Sequence, residues 1–144
     1  MTIDTVSGRP LSHARRPLPA EIHGVEWAAW SPVSDSIALE VNADEGRHAL
    51  WIVTANGSGA RKLIEYPMTT YGGLCWTPDG TSIIDAARVG ERMQPLSIPA
   101  VGGEPRQLTH DSANVFQPRL SPDGRFIAAT LLEHRREILR RPVR

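Results

Sequence analysis

Trp76-Thr77-Pro78-Asp79-Gly80 and Leu120-Ser121-Pro122-Asp123-Gly124 are two copies of one phrase, and Trp30-Ser31-Pro32 begins a third. Their first residues are 46 and 44 positions apart. A period of this size marks a repeat architecture in which each unit is one supersecondary element. Ser/Thr-Pro-Asp-Gly suits a type I turn at every corner: a hydroxyl acceptor first, Pro to preset φ, Asp in the third place and Gly to close without strain. The first copy departs from the pattern, with Val33-Ser34 where Asp-Gly should stand, which predicts a looser or differently built turn.

Working outward, apolar residues flank each turn at fixed offsets: Trp30, Trp76 and Leu120 before it, Ile37-Ala38, Ile83-Ile84 and Ile127-Ala128 after it. Two short strands joined by a tight turn are a hairpin. Leu50-Trp51-Ile52-Val53 supplies a third strand, Asn56-Gly57-Ser58-Gly59 a turn, and Arg61-Lys62-Leu63 a fourth strand. About 45 residues on, Leu96-Ser97-Ile98, Val101-Gly102-Gly103 and Arg106-Gln107-Leu108 repeat that succession. Each unit is therefore four antiparallel strands in meander order. Arg16-Pro17-Leu18 stands in the register of one further strand, confined to an edge by its proline. Glu137-Ile138-Leu139-Arg140-Arg141-Pro142 matches a third strand, less apolar than its counterparts because Arg141 replaces Val53 and Ile98.

These units resemble the repeats of TolB-type β-propellers, relatives of the WD-type propellers. The carrying residues are the Ser/Thr-Pro-Asp-Gly turns, the strand Leu50–Val53, and Gly102-Gly103-Glu104-Pro105-Arg106-Gln107-Leu108-Thr109. The resemblance covers roughly residues 16 to 142. The fold class it implies is all-β: a partial β-propeller of about three four-stranded antiparallel blades. One N-terminal strand, two complete blades and three strands of a last blade make it up. Residues 1–15 read as a disordered leader, since Gly8 to Pro19 holds three Pro and three Arg. Fold alone does not give function. In families with this resemblance, propellers join envelope complexes or act as sensor domains. They also gate the hydrolase domain of prolyl-oligopeptidase-type peptidases and end some bacterial Ser/Thr kinases.

The chain's chemistry is sparse. Net charge is zero over 144 residues, which argues against a nucleic-acid surface. Five Arg and one Glu in residues 134–144 read as a solvated tail or a site for an anionic partner. Cys75 is alone, so no intrachain disulfide forms, and its place beside Trp76 predicts a small buried residue. Residues 1–20 contain no apolar run, so neither a signal peptide nor a membrane-spanning helix is expected there. The chain is then cytoplasmic, or periplasmic if cut from an exported parent. Gly57-Ser58-Gly59 lacks the spacing of a hydrolase elbow. His13, His23, His48, His110 and His134 show no metal-binding spacing, and His110-Asp111 falls in a loop. Asp79 and Asp123 are explained by turn chemistry, and one carboxylate per turn is far from the oxygen count calcium needs. The sequence therefore predicts no catalytic residue, cofactor or metal site.

What remains is surface. A meander puts alternate connections on one end of the blades, and loops on a rigid scaffold usually carry function. The candidate binding face is Asp44, Glu45, Arg47, Arg88, Glu91, Arg92, Arg135 and Arg136, ordinary solvated hairpin tips being the alternative. Closed propellers have four to eight blades. With three, two blade sides lack neighbours, and an open side of ~400 Å² forgoes about 10 kcal/mol of burial. Neighbours would come from a longer propeller of which this is a piece, or from a second copy closing a six-bladed ring. The expected function is a non-catalytic module binding a protein or peptide, without nucleic acid or membrane insertion. The alternatives are an accessory segment of a larger peptidase or kinase whose catalytic domain lies in another chain segment, and a decayed remnant.

Overall fold

The computed structural model describes residues 2–3, 10–12, 18–43, 46–67, 73–110 and 112–132. The extended elements among these residues are all antiparallel strands: β1 (Thr2–Ile3), β2 (Pro10–Ser12), β3 (Val25–Trp30), β4 (Ser36–Ala43), β5 (Arg47–Thr54) and β6 (Ala60–Pro67). There follow β7 (Cys75–Trp76), β8 (Ser82–Val89), β9 (Arg92–Pro99), β10 (Arg106–Gln107), β11 (Asn114–Leu120) and β12 (Ile127–Leu132). Two four-stranded meanders, β3-β4-β5-β6 and β7-β8-β9-β10, are the two complete blades, and β11-β12 begin the third. No helix long and apolar enough to cross a membrane occurs among the described residues.

The N-terminal segment is described only in part. Within the supposed disordered leader, Thr2–Ile3 pairs with Pro10–Ser12 as a small two-stranded sheet. Leu18 lies outside any strand and is exposed. Pro17 and Pro19 flank it without N–H groups, so the segment offers little to a ladder. Arg16, Pro17 and the strand expected at 137–142 lie outside the described residues.

The turns explain why the units repeat. Gly80 N donates to Thr77 O at 2.9 Å and Gly124 N to Ser121 O at 2.8 Å, the closing bond of a type I turn. Asp79 Oδ1 accepts from Thr77 Oγ1 and Thr81 N, and Asp123 Oδ1 accepts from Ser121 Oγ and Arg125 N. These bonds hold both carboxyls below their ordinary range, the hydroxyl of Thr77 or Ser121 contributing most. In the first turn Val33 N reaches only Ser31 Oγ, at 3.4 Å, so that turn is indeed looser. Successive turns also stack. A Cβ on Gly80 would lie 2.2 Å from Val33 Cγ2, and one on Gly124 would lie 3.0 Å from Pro78 Cδ. Glycine is required twice over at these positions, because φ is +68° and +70° as well.

The core sits between blades. Ala38, Leu50 and Ile52 of the first blade pack on Trp76, Ile83, Leu96 and Ile98 of the second. The Trp76 indole N–H, itself buried, donates to Ala29 O at 2.9 Å, tying the two inner strands. On its far side the first blade keeps a smaller cluster of Leu39, Val41, Ala49 and Val53, capped by Ile22 from the segment before β3. The middle blade is enclosed: every residue from Ile83 to Ala87 is buried. β12 is the opposite, with all six residues exposed.

The stacking of the turns makes a specific prediction. Gly80→Ala should lower stability by about 2–3 kcal/mol, combining left-handed backbone strain with the Val33 clash. Gly90→Ala, with φ +61° but open space around it, should lose only about 1 kcal/mol. Urea midpoints of the two variants check the difference.

Candidate functional site

The connections β4–β5 and β8–β9 are equivalent hairpins, and the ends of β6 and the starts of β3 and β11 come to the same end of the blades. Register shows this: His48 pairs with Tyr66, and Asn114 Oδ1 accepts from Met93 N at 2.9 Å. Of the expected binding face, Arg47, Arg88, Glu91 and Arg92 are described and sit at or beside these tips; Asp44, Glu45, Arg135 and Arg136 lie outside the described residues. Arg47 is engaged with Glu65 at 2.9 Å, and Lys62 shares that carboxylate at 2.7 Å. Arg88 Nε donates to Gly90 O within its own hairpin. Among the described residues, no ion pair links the two tips.

Beneath this end lies a group of polar residues that sequence inspection does not reveal. Glu40 on β4, His48 on β5 and Tyr66 on β6 share one face of the first blade, and Asp85 on β8 meets them from the second. Glu40 and Asp85 are 0% and 1% exposed. The Tyr66 hydroxyl donates to Asp85 Oδ2, and Ala86 N donates to Asp85 Oδ1 at 2.7 Å. His48 Nδ1 stands 3.4 Å from Glu40 Oε1 and 3.9 Å from Glu26 Oε2. Glu26 reaches this group because it is the extra residue of a bulge. Val25 pairs with Val41 and Trp27 with Glu40, leaving Glu26 unpaired between them. Bulges re-aim side chains in this way.

Two shallow grooves of about 450 and 460 Å³ lie elsewhere, one between the first two blades beside Trp76 and Ala100, the other along Trp30, Cys75 and Leu120. Neither gathers catalytic groups. Cys75 is half-buried, its Sγ 3.7 Å from Pro118 O, and burial pushes its thiol up, away from reactivity. Ser58 Oγ lies 3.2 Å from Thr54 Oγ1 at the β5–β6 tip, a turn contact.

The chain matches no family model. Two solved structures share its architecture. A protein described as TolB from Agrobacterium tumefaciens superposes with a TM-score of 0.66 at 18% identity, over 79% of this chain and 40% of that one. TolB from Acinetobacter baumannii gives 0.61 at 19% identity, over 72% of this chain and 25% of that one. The fold is a TolB-type β-propeller, present in part. In sequence, the uncharacterized peptidase YuxL of Bacillus subtilis (strain 168) is 26% identical over 68% of this chain and 20% of its own length. This TolB-like chain thus spans two fifths or less of each of these proteins.

Burial raises the Glu40 carboxyl from 4.5 to about 8, and the nearby Asp85 and Glu26 charges add to the effect. Burial also raises Asp85, to about 6, against the opposing bond from Tyr66. The Tyr66 hydroxyl is driven well above its ordinary range, first by its own burial and then by Asp85. Two carboxyls facing one another out of water cannot both ionise cheaply. An acid whose folded value is raised favours folding while protonated. That stability is fully present below pH 4.5 and is lost as pH rises toward about 8.

In EDTA-containing buffer, the urea midpoint of the native chain should fall from pH 5 to pH 8.5, a loss on the order of 3 kcal/mol. Glu40→Gln should flatten most of that fall and be the more stable protein at pH 8.5. The groups facing Glu40 are Glu26, His48, Tyr66 and Asp85. A variant that follows the native pH profile throughout contradicts the assignment.

Proposed function

We propose that this chain is a non-catalytic interaction module, part of a TolB-like propeller that takes a protein or peptide partner. The observation that carries the proposal is the contrast between the enclosed middle blade and the β11–β12 hairpin, where Phe126 just before β12 and Leu131 on it remain 66% and 58% exposed. An apolar side of this kind is what one blade offers the next. The first partner is then whatever supplies further blades. A longer polypeptide carrying them is the favoured source, and a second copy closing a six-bladed ring is the other. A ligand of the completed ring would meet the end bearing Arg47, Arg88, Glu91 and Arg92, together with Asp44, Glu45, Arg135 and Arg136. No cofactor, nucleic acid or membrane enters this proposal.

The similarity to a peptidase favours a second possibility, in which these blades are the accessory segment of an enzyme of the prolyl-oligopeptidase type. Under it the catalytic residues belong to another domain. The DNA on either side of the coding sequence separates the two. A neighbouring hydrolase frame, interrupted by a stop or frameshift, supports the accessory role; an outer-membrane lipoprotein operon supports the binding role.

Sedimentation of the native chain and of Leu131→Glu tests the open side directly. The native chain should self-associate with rising concentration, and the charge on β12 should weaken that association at least tenfold. A mass near twice 15.8 kDa would identify the second copy as the neighbour. A native chain that stays monomeric and soluble at high concentration contradicts the proposal.

A further inference from the structure

Three chemistry-bearing side chains converge at the loop-rich end of the first blade from three adjacent strands. Ligand atoms of Glu26, Glu40 and His48 all lie within 4.8 Å of one another. Both oxygens of the fully buried Glu40 carboxylate lack a hydrogen-bond partner. A buried carboxylate in that condition is paired, protonated or coordinating a metal. Among the described residues no lysine or arginine pairs with it, since Arg47 and Lys62 are both bound to Glu65. The bulge at Val25–Trp27 adds a further carboxylate to the same spot instead of relieving it.

We propose that Glu26, Glu40 and His48 form a binding site for a divalent transition cation of the zinc class. One oxygen of each carboxylate and Nδ1 of the imidazole are the ligands. Neighbouring ligand atoms around a tetrahedral zinc lie about 3.3 Å apart, and the observed separations from Nδ1 are 3.4 and 3.9 Å. A small movement of Glu26 closes the set. Its side chain is 38% exposed, so it forms the rim by which an ion enters and leaves a fourth position facing water. Asn42 Nδ2 donates to Glu26 Oε1 at 2.9 Å, which orients the carboxylate and leaves Oε2 toward His48, the kind of outer contact that fixes metal ligands. An imidazole with two carboxylates suits zinc and its neighbours, whereas calcium takes six to eight oxygens. The cation would neutralise the crowded carboxylates and cross-link β3, β4 and β5.

The test is calorimetric titration of the chelator-stripped full chain with zinc chloride, alongside the absorption spectrum with Co²⁺. The expected result is one strong site per chain, a tetrahedral Co²⁺ band, and no displacement by millimolar Ca²⁺. Glu40→Gln and, at the exposed rim, Glu26→Gln should each weaken zinc binding at least tenfold while the strand circular dichroism is kept. Glu26→Gln keeps the test decisive if the buried substitution disturbs folding. Absence of zinc binding by the native chain, or equal binding by the native chain and Glu26→Gln, overturns the proposal. Neither outcome bears on whether β12 recruits further blades.

Discussion

Burial of one four-stranded sheet against the next is the interaction on which the rest of the molecule depends. A single blade is too thin to bury its own faces, so its apolar residues are covered only by a neighbour. The middle blade shows the arrangement complete: β8 is buried from Ile83 to Ala87 and carries Ile83 on one face and Ile84 on the other. In the first blade Ala38, Leu50 and Ile52 are covered by the second blade, and Leu39, Val41, Ala49 and Val53 form a smaller buried cluster with Ile22 on the other face. At β12 the arrangement is open. Burial is thus high in β4 and β8 and lost at β12, although the strands carry apolar residues at the same places in the repeat.

A polar cluster set into such an interface is costly and therefore informative. Apolar residues of similar volume would pack the space of Glu40 and Asp85 at no electrostatic penalty. Instead, two carboxyls from adjacent blades face each other beside an imidazole and a tyrosine. Asp85 is partly compensated by the Tyr66 hydroxyl and its own backbone. Glu40 has no such relief, and the first blade bulges to bring Glu26 to it. Buried groups whose titration is displaced this far cluster at functional sites. The rigid scaffold puts this one beneath the hairpin tips, where a propeller presents its loops.

Much of the fold was legible because turn chemistry is local. Thr77-Pro78-Asp79-Gly80 and Ser121-Pro122-Asp123-Gly124 specify their own geometry, and the loose turn at Val33-Ser34 announced itself by lacking Asp and Gly. The strands between followed from apolar pairs at fixed offsets. Strand lengths were less accessible: β6 runs from Ala60 to Pro67, well past Arg61-Lys62-Leu63, because pairing with β5 continues to Arg47. The candidate site was hardly visible. Glu26, Glu40 and His48 share no motif spacing, and they meet only through the lateral pairing of three strands and a bulge. The one available signal was a lone carboxylate inside each apolar run, Glu40 in Ile37–Val41 and Asp85 in Ile83–Ala87. Of the charged residues read at the hairpin tips, Arg47 is occupied by Glu65, a pairing no spacing in the sequence announces.

Backbone amide hydrogen exchange on the dilute full chain tests most directly whether inter-blade burial holds the structure. The slowest amides should be those of β8 and β9, exchanging as one unit with β4 and β5, while β12 exchanges orders of magnitude faster. Protection of β12 equal to that of β8, or exchange of the first two blades as independent units, would contradict the account.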